Sequence, residues 1–335
     1  MRTAPRARAL TALLAAAALA VTAAGCGSAA EQAGGGAPRK APEGRGTGAG
    51  ALTVTHLKGT TTLEKPATRV VALEWTYAED LLALGVSPAG VADIEGYDQW
   101  VTGGPRFADS VKDVGTRQAP SLETVKALKP DLIITSKVRS EANYDQLDAI
   151  APTLMFDPYA AEGEYQEMRA TLEKIGTAVG RQEAAGAALK ELDGKIAAAR
   201  QRLTDGKKNG AAVTVARGYT TDGAAVVEVL TDSTVPGGLL PQLGLRNAWT
   251  GKPDAYGMSK VDIEGLKPVE ESTLLYVAAK DDDVFATSLP KNALWRNLDF
   301  AKDGRVHALD PGTWFFGGPF STALVADEIA DALTS

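Results

Sequence analysis

Sulfur and imidazole are scarce in this chain: its 335 residues include one cysteine, Cys26, and two histidines, His56 and His307. One cysteine excludes an internal disulfide, so the fold must hold together by packing. Two histidines are too few for a transition-metal site built from several His or Cys ligands. Both fall in strand-like segments, where they read as structural or edge residues. The chain has no Gly-x-Ser-x-Gly elbow, no Walker-type phosphate loop and no Gly-x-Gly-x-x-Gly dinucleotide fingerprint. Positive charge is also in deficit, with 35 Lys and Arg against 42 Asp and Glu and a formal charge of −7. With no long basic run, the chain is a poor partner for nucleic acid. Asp281-Asp282-Asp283 lacks the alternating ligand spacing and terminal Glu of a calcium loop, and reads as a solvated turn.

What is present begins with a leader. Arg2, Arg6 and Arg8 precede an apolar run from Ala9 to Val21, and Val21-Thr22-Ala23-Ala24-Gly25-Cys26 closes it. A charged start, a short hydrophobic segment and small residues before a cleavage point make a secretory signal over residues 1–25, and the run is too short to span a bilayer. Small residues directly before a cysteine resemble the lipobox of bacterial lipoproteins. That resemblance implies cleavage before Cys26, lipidation of its thiol and firm anchoring by two or three acyl chains. Loss of the three leader arginines takes the formal charge from −7 to −10. Residues 26–50, with Gly34-Gly35-Gly36, Pro38 and Pro42, have little to bury and read as a flexible linker.

The body, from about Ala51, is long enough for two cores. Two stretches recur in the same order. Leu81-Leu82-Ala83-Leu84-Gly85-Val86 is echoed by Leu239-Leu240-Pro241-Gln242-Leu243-Gly244-Leu245. Ser121-Leu122-Glu123, leading to Leu128-Lys129-Pro130 and Leu132-Ile133-Ile134, is echoed by Asp262-Ile263-Glu264, leading to Leu266-Lys267-Pro268 and Leu274-Leu275-Tyr276-Val277. Each unit reads as a short helix stopped by proline and followed by a buried strand of a parallel sheet. Further strands are expected at Arg69–Leu73, Gly90–Ala92, Ala212–Ala216, Ala225–Leu230 and Arg305–Leu309. Met168, Leu172, Ile175 and Val179, then Leu189, Leu192 and Ile196, mark one helical face. Gly176 and Gly180 are expected to divide that stretch, leaving a helix from Gln182 to about Leu203. The expected fold is α/β: one lobe over residues 51–163, linking helices over 164–204, and a second lobe over 205–335, with a ligand cleft between the lobes.

Aromatic rings stand in the expected loops. Trp75 follows the strand ending at Glu74, Trp100 lies in Tyr97-Asp98-Gln99-Trp100, Trp249 and Tyr256 bracket a Gly/Pro-rich loop, and Trp314-Phe315-Phe316 follows the last strand. In α/β lobes ligands sit beyond the carboxyl ends of strands, where such rings form an apolar wall; the other reading is that they pack the lobes. Arg117, in Val114-Gly115-Thr116-Arg117, is the cation expected among them.

Val70-Val71-Ala72-Leu73-Glu74-Trp75, Glu79-Asp80-Leu81-Leu82-Ala83-Leu84-Gly85-Val86, Asp113-Val114-Gly115-Thr116-Arg117, Asn247-Ala248-Trp249-Thr250-Gly251 and Trp314-Phe315-Phe316-Gly317 together resemble the siderophore-binding proteins of bacterial iron-uptake ABC transporters, most of all their ferric-hydroxamate branch. The resemblance implies two lobes on a rigid helical connection and delivery of a ferric siderophore to an ABC permease. It implies no cofactor, no catalysis, a monomer, and a place at the outer face of the cytoplasmic membrane. It places Arg117 and Trp314 at ligand contacts, Tyr256 at a ring position that is tryptophan in the hydroxamate branch, and Trp75 and Trp100 near the first-lobe wall. Glu79 matches a permease-docking glutamate, while Pro236-Gly237-Gly238-Leu239 offers no acid for the second. The loop Ser136-Lys137-Val138-Arg139-Ser140 supplies two cations where the branch has a tyrosine, which keeps a ferric carboxylate such as citrate open as cargo, with Arg139 in contact. Cobalamin and haem are less favoured, and an exported hydrolase is the reading from another class.

Overall fold

A computed structural model describes residues 51–335 apart from Ala161, so the expected signal, Cys26 and the linker lie outside the described residues. The first strands, β1 (Leu52–His56) and β2 (Gly59–Leu63), pair antiparallel as a hairpin. Val54 and His56 face inward while Thr53 and Thr55 face solvent, the two-residue alternation of a half-buried strand. His56 is a structural histidine: Nδ1 accepts from the Met155 amide at 3.2 Å and Nε2 lies 3.0 Å from Thr61 Oγ1.

Five strands then build a wholly parallel sheet: β3 (Val70–Ala72), β4 (Gly90–Val91), β5 (Lys112–Asp113), β6 (Leu132–Ser136) and β7 (Thr153–Phe156), in the order β5-β4-β3-β6-β7. Strands β3, β6 and β7 are buried along their whole length, as expected where helices cover both faces. The connecting helices are α1 (Trp75–Ala83), α2 (Ile94–Trp100), α3 (Leu122–Ala127), α4 (Lys137–Ser140) and α5 (Tyr144–Asp148). The expected loop Ser136–Ser140 is thus the last residue of β6 followed by a helical turn, Lys137–Ser140.

Helices α6 (Glu164–Ala178) and α7 (Gln182–Asp205) follow, the latter about 36 Å long at 1.5 Å per residue. Gly180, at φ 66°, makes the break between them. Gly176 does not: it lies inside α6, and a Cβ there would stand 2.9 Å from Ala185 Cβ, so it serves close packing of α6 on α7. Both helices bury one end in each core. On α6, Tyr165 and Met168 join the second-lobe core, whereas Leu172, Ile175 and Ala178 join the first; on α7, Ala185 and Leu189 join the first, while Leu192, Ile196, Ala199 and Leu203 join the second.

The second sheet contains β8 (Ala212–Thr221), β9 (Ala224–Leu230), β10 (Arg246–Asn247), β11 (Met258–Val261), β12 (Thr273–Val277) and β13 (Val306–Ala308), in the order β11-β9-β8-β12-β13, with β10 beside the start of β8. It is mixed, not purely parallel. Asp222 and Gly223, at φ 52° and 77°, close a two-residue turn between β8 and β9, a connection open only to antiparallel neighbours. The second Leu-Lys-Pro unit also departs from expectation. In the first lobe α3 ends before Pro130, but in the second Pro268 lies within a 3₁₀ helix, Glu264–Val269. Short helices α8 (Val235–Leu239), α9 (Val284–Thr287), α10 (Ala293–Arg296) and α11 (Asp299–Lys302) precede α12 (Pro319–Thr334), which packs along α7. Among the described residues no helix is long and apolar enough to cross a membrane.

Candidate ligand-binding cleft

Between the two sheets lies a cavity of about 250 Å³ whose wall draws on both lobes. The first lobe contributes residues at strand ends: Glu74 after β3, Arg117 beyond β5, Arg139 on α4 after β6, and Tyr159 beyond β7. The second contributes Arg217 from β8, Tyr256 before β11, and Trp314 and Phe316 beyond β13, while α6 closes one side with Glu164, Glu167 and Met168.

Glu74 organises the polar wall. Its backbone is extended and its carboxylate caps α1, accepting from the Trp75 amide at 3.0 Å. The same carboxylate accepts from Arg117 at 2.8 Å and from Arg139 Nε at 2.6 Å. Glu74 is 8% exposed. Burial pushes its carboxyl up, but Arg117 and Arg139 outweigh that and hold it below the ordinary carboxylate range. Two guanidiniums thus share Glu74, and Arg117 Nε also lies 3.9 Å from a second carboxylate, that of Asp93. Arg217 is paired too, with Glu228 directly opposite on β9, at 2.6 Å. Glu164, 4% exposed, accepts from the Val235 amide at 3.0 Å, and burial lifts its carboxyl to about 8.

Arg117 also stacks. Its guanidinium lies 3.5 Å from the Trp75 ring centre and 5.3 Å from that of Trp314, and the two rings are 4.9 Å apart. Three polar atoms on the cavity's lining residues, Arg117 Nε, Ser136 Oγ and Trp314 Nε1, are buried with no hydrogen-bond partner among the described residues. A wall of rings with unpaired donors suits a bulky, partly apolar ligand that presents oxygen acceptors.

Of the residues singled out from sequence, Arg117, Arg139, Tyr256 and Trp314 meet on this wall. Tyr256 is 44% exposed and meets Tyr159 edge-on at 5.9 Å. Trp75 does not line the cavity: it is buried behind Arg117, with Nε1 donating to the Ala92 and Asp93 carbonyls at 3.1 and 3.0 Å. Trp100 stands outside it as well, against the cluster of Trp75, Tyr97 and Val101. Trp249 packs on the second-lobe core and donates to Ser259 Oγ at 2.8 Å. Lys137 pairs with Asp157 at 3.0 Å and is not on the wall.

Glu79 requires correction. It is fully buried, and its carboxylate accepts from Ser321 N at 2.7 Å and Ser321 Oγ at 2.6 Å, in the first turn of α12. A side chain sealed beneath another helix cannot reach a permease; it joins the lobes instead. Gly317 and Gly318 permit the approach, since a Cβ on either would come within 2.8 Å of the Glu79 or Asp80 carboxylate.

Sequence reasoning gave no role to Glu74, Tyr159, Glu164 or Arg217, whereas Phe316 was among the rings expected on an apolar wall. A charged residue inside the apolar run of β8 was the signal for Arg217, and a glutamate at the junction of β3 and α1 was the signal for Glu74. A Ser-x-x-Lys motif of acyl-transfer enzymes is not expected from the sequence, yet Ser288 to Lys291 has that spacing; Ser288 Oγ donates to the Val284 carbonyl at 3.3 Å and the pair is off the cavity wall. Among the described residues no group of three or more His, Cys, Asp or Glu could hold a metal ion.

The family profile described as periplasmic binding protein matches residues 70–313, and the chain belongs to that family. Among curated relatives, the putative ABC transporter substrate-binding lipoprotein YhfQ of Bacillus subtilis is 31% identical, over 78% of this chain and 82% of its own length. The Fe(3+) dicitrate-binding periplasmic protein FecB of Escherichia coli is 31% identical, over 79% of this chain and 84% of its own. Among solved structures, the Fe3+-Desferal-bound siderophore-binding protein FhuD of Vibrio cholerae superimposes with a TM-score of 0.72 at 28% identity, covering 80% of this chain and 98% of that one.

Proposed function

We propose that this chain is an extracytoplasmic, lipid-anchored receptor that captures a ferric siderophore of the hydroxamate type and hands it to an ABC permease. The chelator supplies the oxygen shell of Fe(III), so the protein needs no metal ligands of its own. Arg117 and Arg139 donate to oxygens of that shell, while Trp314, Phe316 and Tyr256 cover its apolar surface. Anchorage is assigned to Cys26, in keeping with the lipoprotein relative. The single observation that carries the hydroxamate assignment is the pairing of both first-lobe arginines with buried Glu74. A cleft whose cations are already neutralised suits an uncharged ferric hydroxamate core. An anionic ferric citrate complex would have to compete with Glu74 for both guanidiniums. Lys137, the other cation that pointed to citrate, is held by Asp157.

Titration of the protein with ferric desferrioxamine and with ferric citrate, followed by tryptophan fluorescence, tests this. Saturable quenching by ferric desferrioxamine, with ferric citrate at least tenfold weaker, is the expected result. The reverse order would assign the carboxylate cargo. Turnover of ester or glycoside substrates without quenching would replace the transport reading with a hydrolytic one.

A further inference from the structure

Trp100, stranded from the main cavity, lines a second chamber of about 150 Å³. Its wall is almost wholly apolar, with Trp100 from the first lobe and Ala278, Ala279 and Pro311 from the second. It shares Arg217, Trp314 and Phe316 with the main cavity, so those three residues form a ridge common to the two. Trp314 and Phe316 meet edge-on at 5.1 Å along that ridge, and the Arg217 guanidinium lies 5.6 Å from the Phe316 ring centre.

Two of the residues lining this chamber carry a buried polar atom with no hydrogen-bond partner among the described residues: Trp314 Nε1, a donor, and Thr313 Oγ1, which can donate or accept. Their surroundings are otherwise greasy. Leaving such atoms unpaired is costly unless a ligand supplies the missing bond. An amide group flanked by a short alkyl chain matches the pattern, because its carbonyl can take a hydrogen bond at the ridge while its chain fills the apolar space.

We propose that this chamber is a subsite for the amide-linked acyl arm of a ferric hydroxamate whose iron core occupies the main cavity. The assignment rests on the cargo reading above. Because the chamber adjoins the main cavity at three shared residues, the occupant is taken as an arm of the same ligand rather than a separate molecule. Each methylene moved from water to such a wall favours binding by roughly fourfold, so a short acyl chain discriminates strongly without touching the iron shell.

The probes are ferric N-acetyl-desferrioxamine and ferric N-hexanoyl-desferrioxamine, equal in charge and different in chain length. Wild-type protein is expected to bind the hexanoyl complex roughly tenfold or more tightly than the acetyl complex. Ala279→Leu, at a residue that lines the chamber but not the main cavity, is expected to bind the acetyl complex as wild type does and to lose the preference. The milder Ala279→Val keeps part of it, and thermal melts establish that both variants fold. Equal affinity of wild type for the two complexes, or a preference that survives in Ala279→Leu, would overturn the subsite while leaving the cargo reading intact. If neither complex binds wild type, the cargo reading falls and the subsite falls with it.

Discussion

Glu74 sets one negative charge against the two positive charges of Arg117 and Arg139, at 2.8 and 2.6 Å. Glu74→Gln preserves size and an acceptor for the Trp75 amide but removes the charge, so the cavity becomes one unit more positive. Ferric citrate is then expected to gain at least tenfold in affinity, about 1.4 kcal/mol. The gain should shrink as salt is raised, since screening weakens attraction at a partly open site. Ferric N-acetyl-desferrioxamine, uncharged, should change little. The variant should also lose ~3 kcal/mol of stability, because removing one partner of a buried pair strands the other. Fluorescence titration with both complexes at two ionic strengths decides the matter: equal changes for both ligands would mean that Glu74 only supports the fold. Trp75 was legible as an aromatic at a strand end, but its position behind Arg117 was not. Sequence marks a ring near a site; it does not say whether the ring faces the ligand or holds up the residue that does.

Glu79, Asp80 and Glu164 are buried carboxyls, and two of them join elements. Glu79 of α1 meets the start of α12, Asp80 lies beside it with both oxygens unpartnered among the described residues, and Glu164 at the start of α6 meets the Val235 amide of α8. Burial raises all three carboxyls, Glu164 to about 8. The folded chain therefore keeps protons that the unfolded chain, with carboxyl pKa values near 4, releases. Their stabilising share is complete below the unfolded values and is lost as pH rises through the folded ones. Thermal melts between about pH 5 and pH 8 should therefore show that these groups lower the melting temperature as pH rises. Glu164→Gln should flatten that slope across the whole interval, because the unfolded and folded values of Glu164 bracket it. An unchanged slope would mean that Glu164 is ionised in the folded protein throughout this range. The elements themselves were largely legible, since strands β3, β6 and β12 appear as short apolar runs and the faces of α6 and α7 as helical periodicity. The antiparallel β9 was read as a strand but not for its direction, because direction depends on the Asp222-Gly223 turn that joins it to β8.

At the scale of the whole molecule, the two sheets are held by more than the α6–α7 connection. Thr102 N and Oγ1 both donate to the Gly312 carbonyl, at 3.1 and 3.0 Å, Thr76 Oγ1 donates to the Phe316 carbonyl, and Glu79 holds Ser321. These bonds run from the first lobe to the segment carrying Trp314, so the cleft wall is fixed before a ligand arrives, which limits the ordering cost of binding. The two-lobe plan was visible in the repeated units and the long helical stretch. The bonds between lobes were not, because they join residues more than two hundred positions apart and follow no periodicity.

The same arrangement predicts how anchor and cleft are related. Every residue assigned to the cleft lies between Glu74 and Phe316, and the first described strand starts at Leu52. Cys26 lies upstream of all of it, so lipidation and binding should separate cleanly. Cys26→Ser is expected to leave the protein uncleaved or released from the membrane, while the affinity for ferric desferrioxamine stays within about twofold of wild type, inside ~0.5 kcal/mol. Fractionation of cells into membrane and soluble pools, with titration of the purified variant, checks both halves. A variant that is processed yet still membrane-bound would remove the lipid assignment from Cys26. A released variant with weakened binding would mean that residues before Leu52 help to shape the cleft.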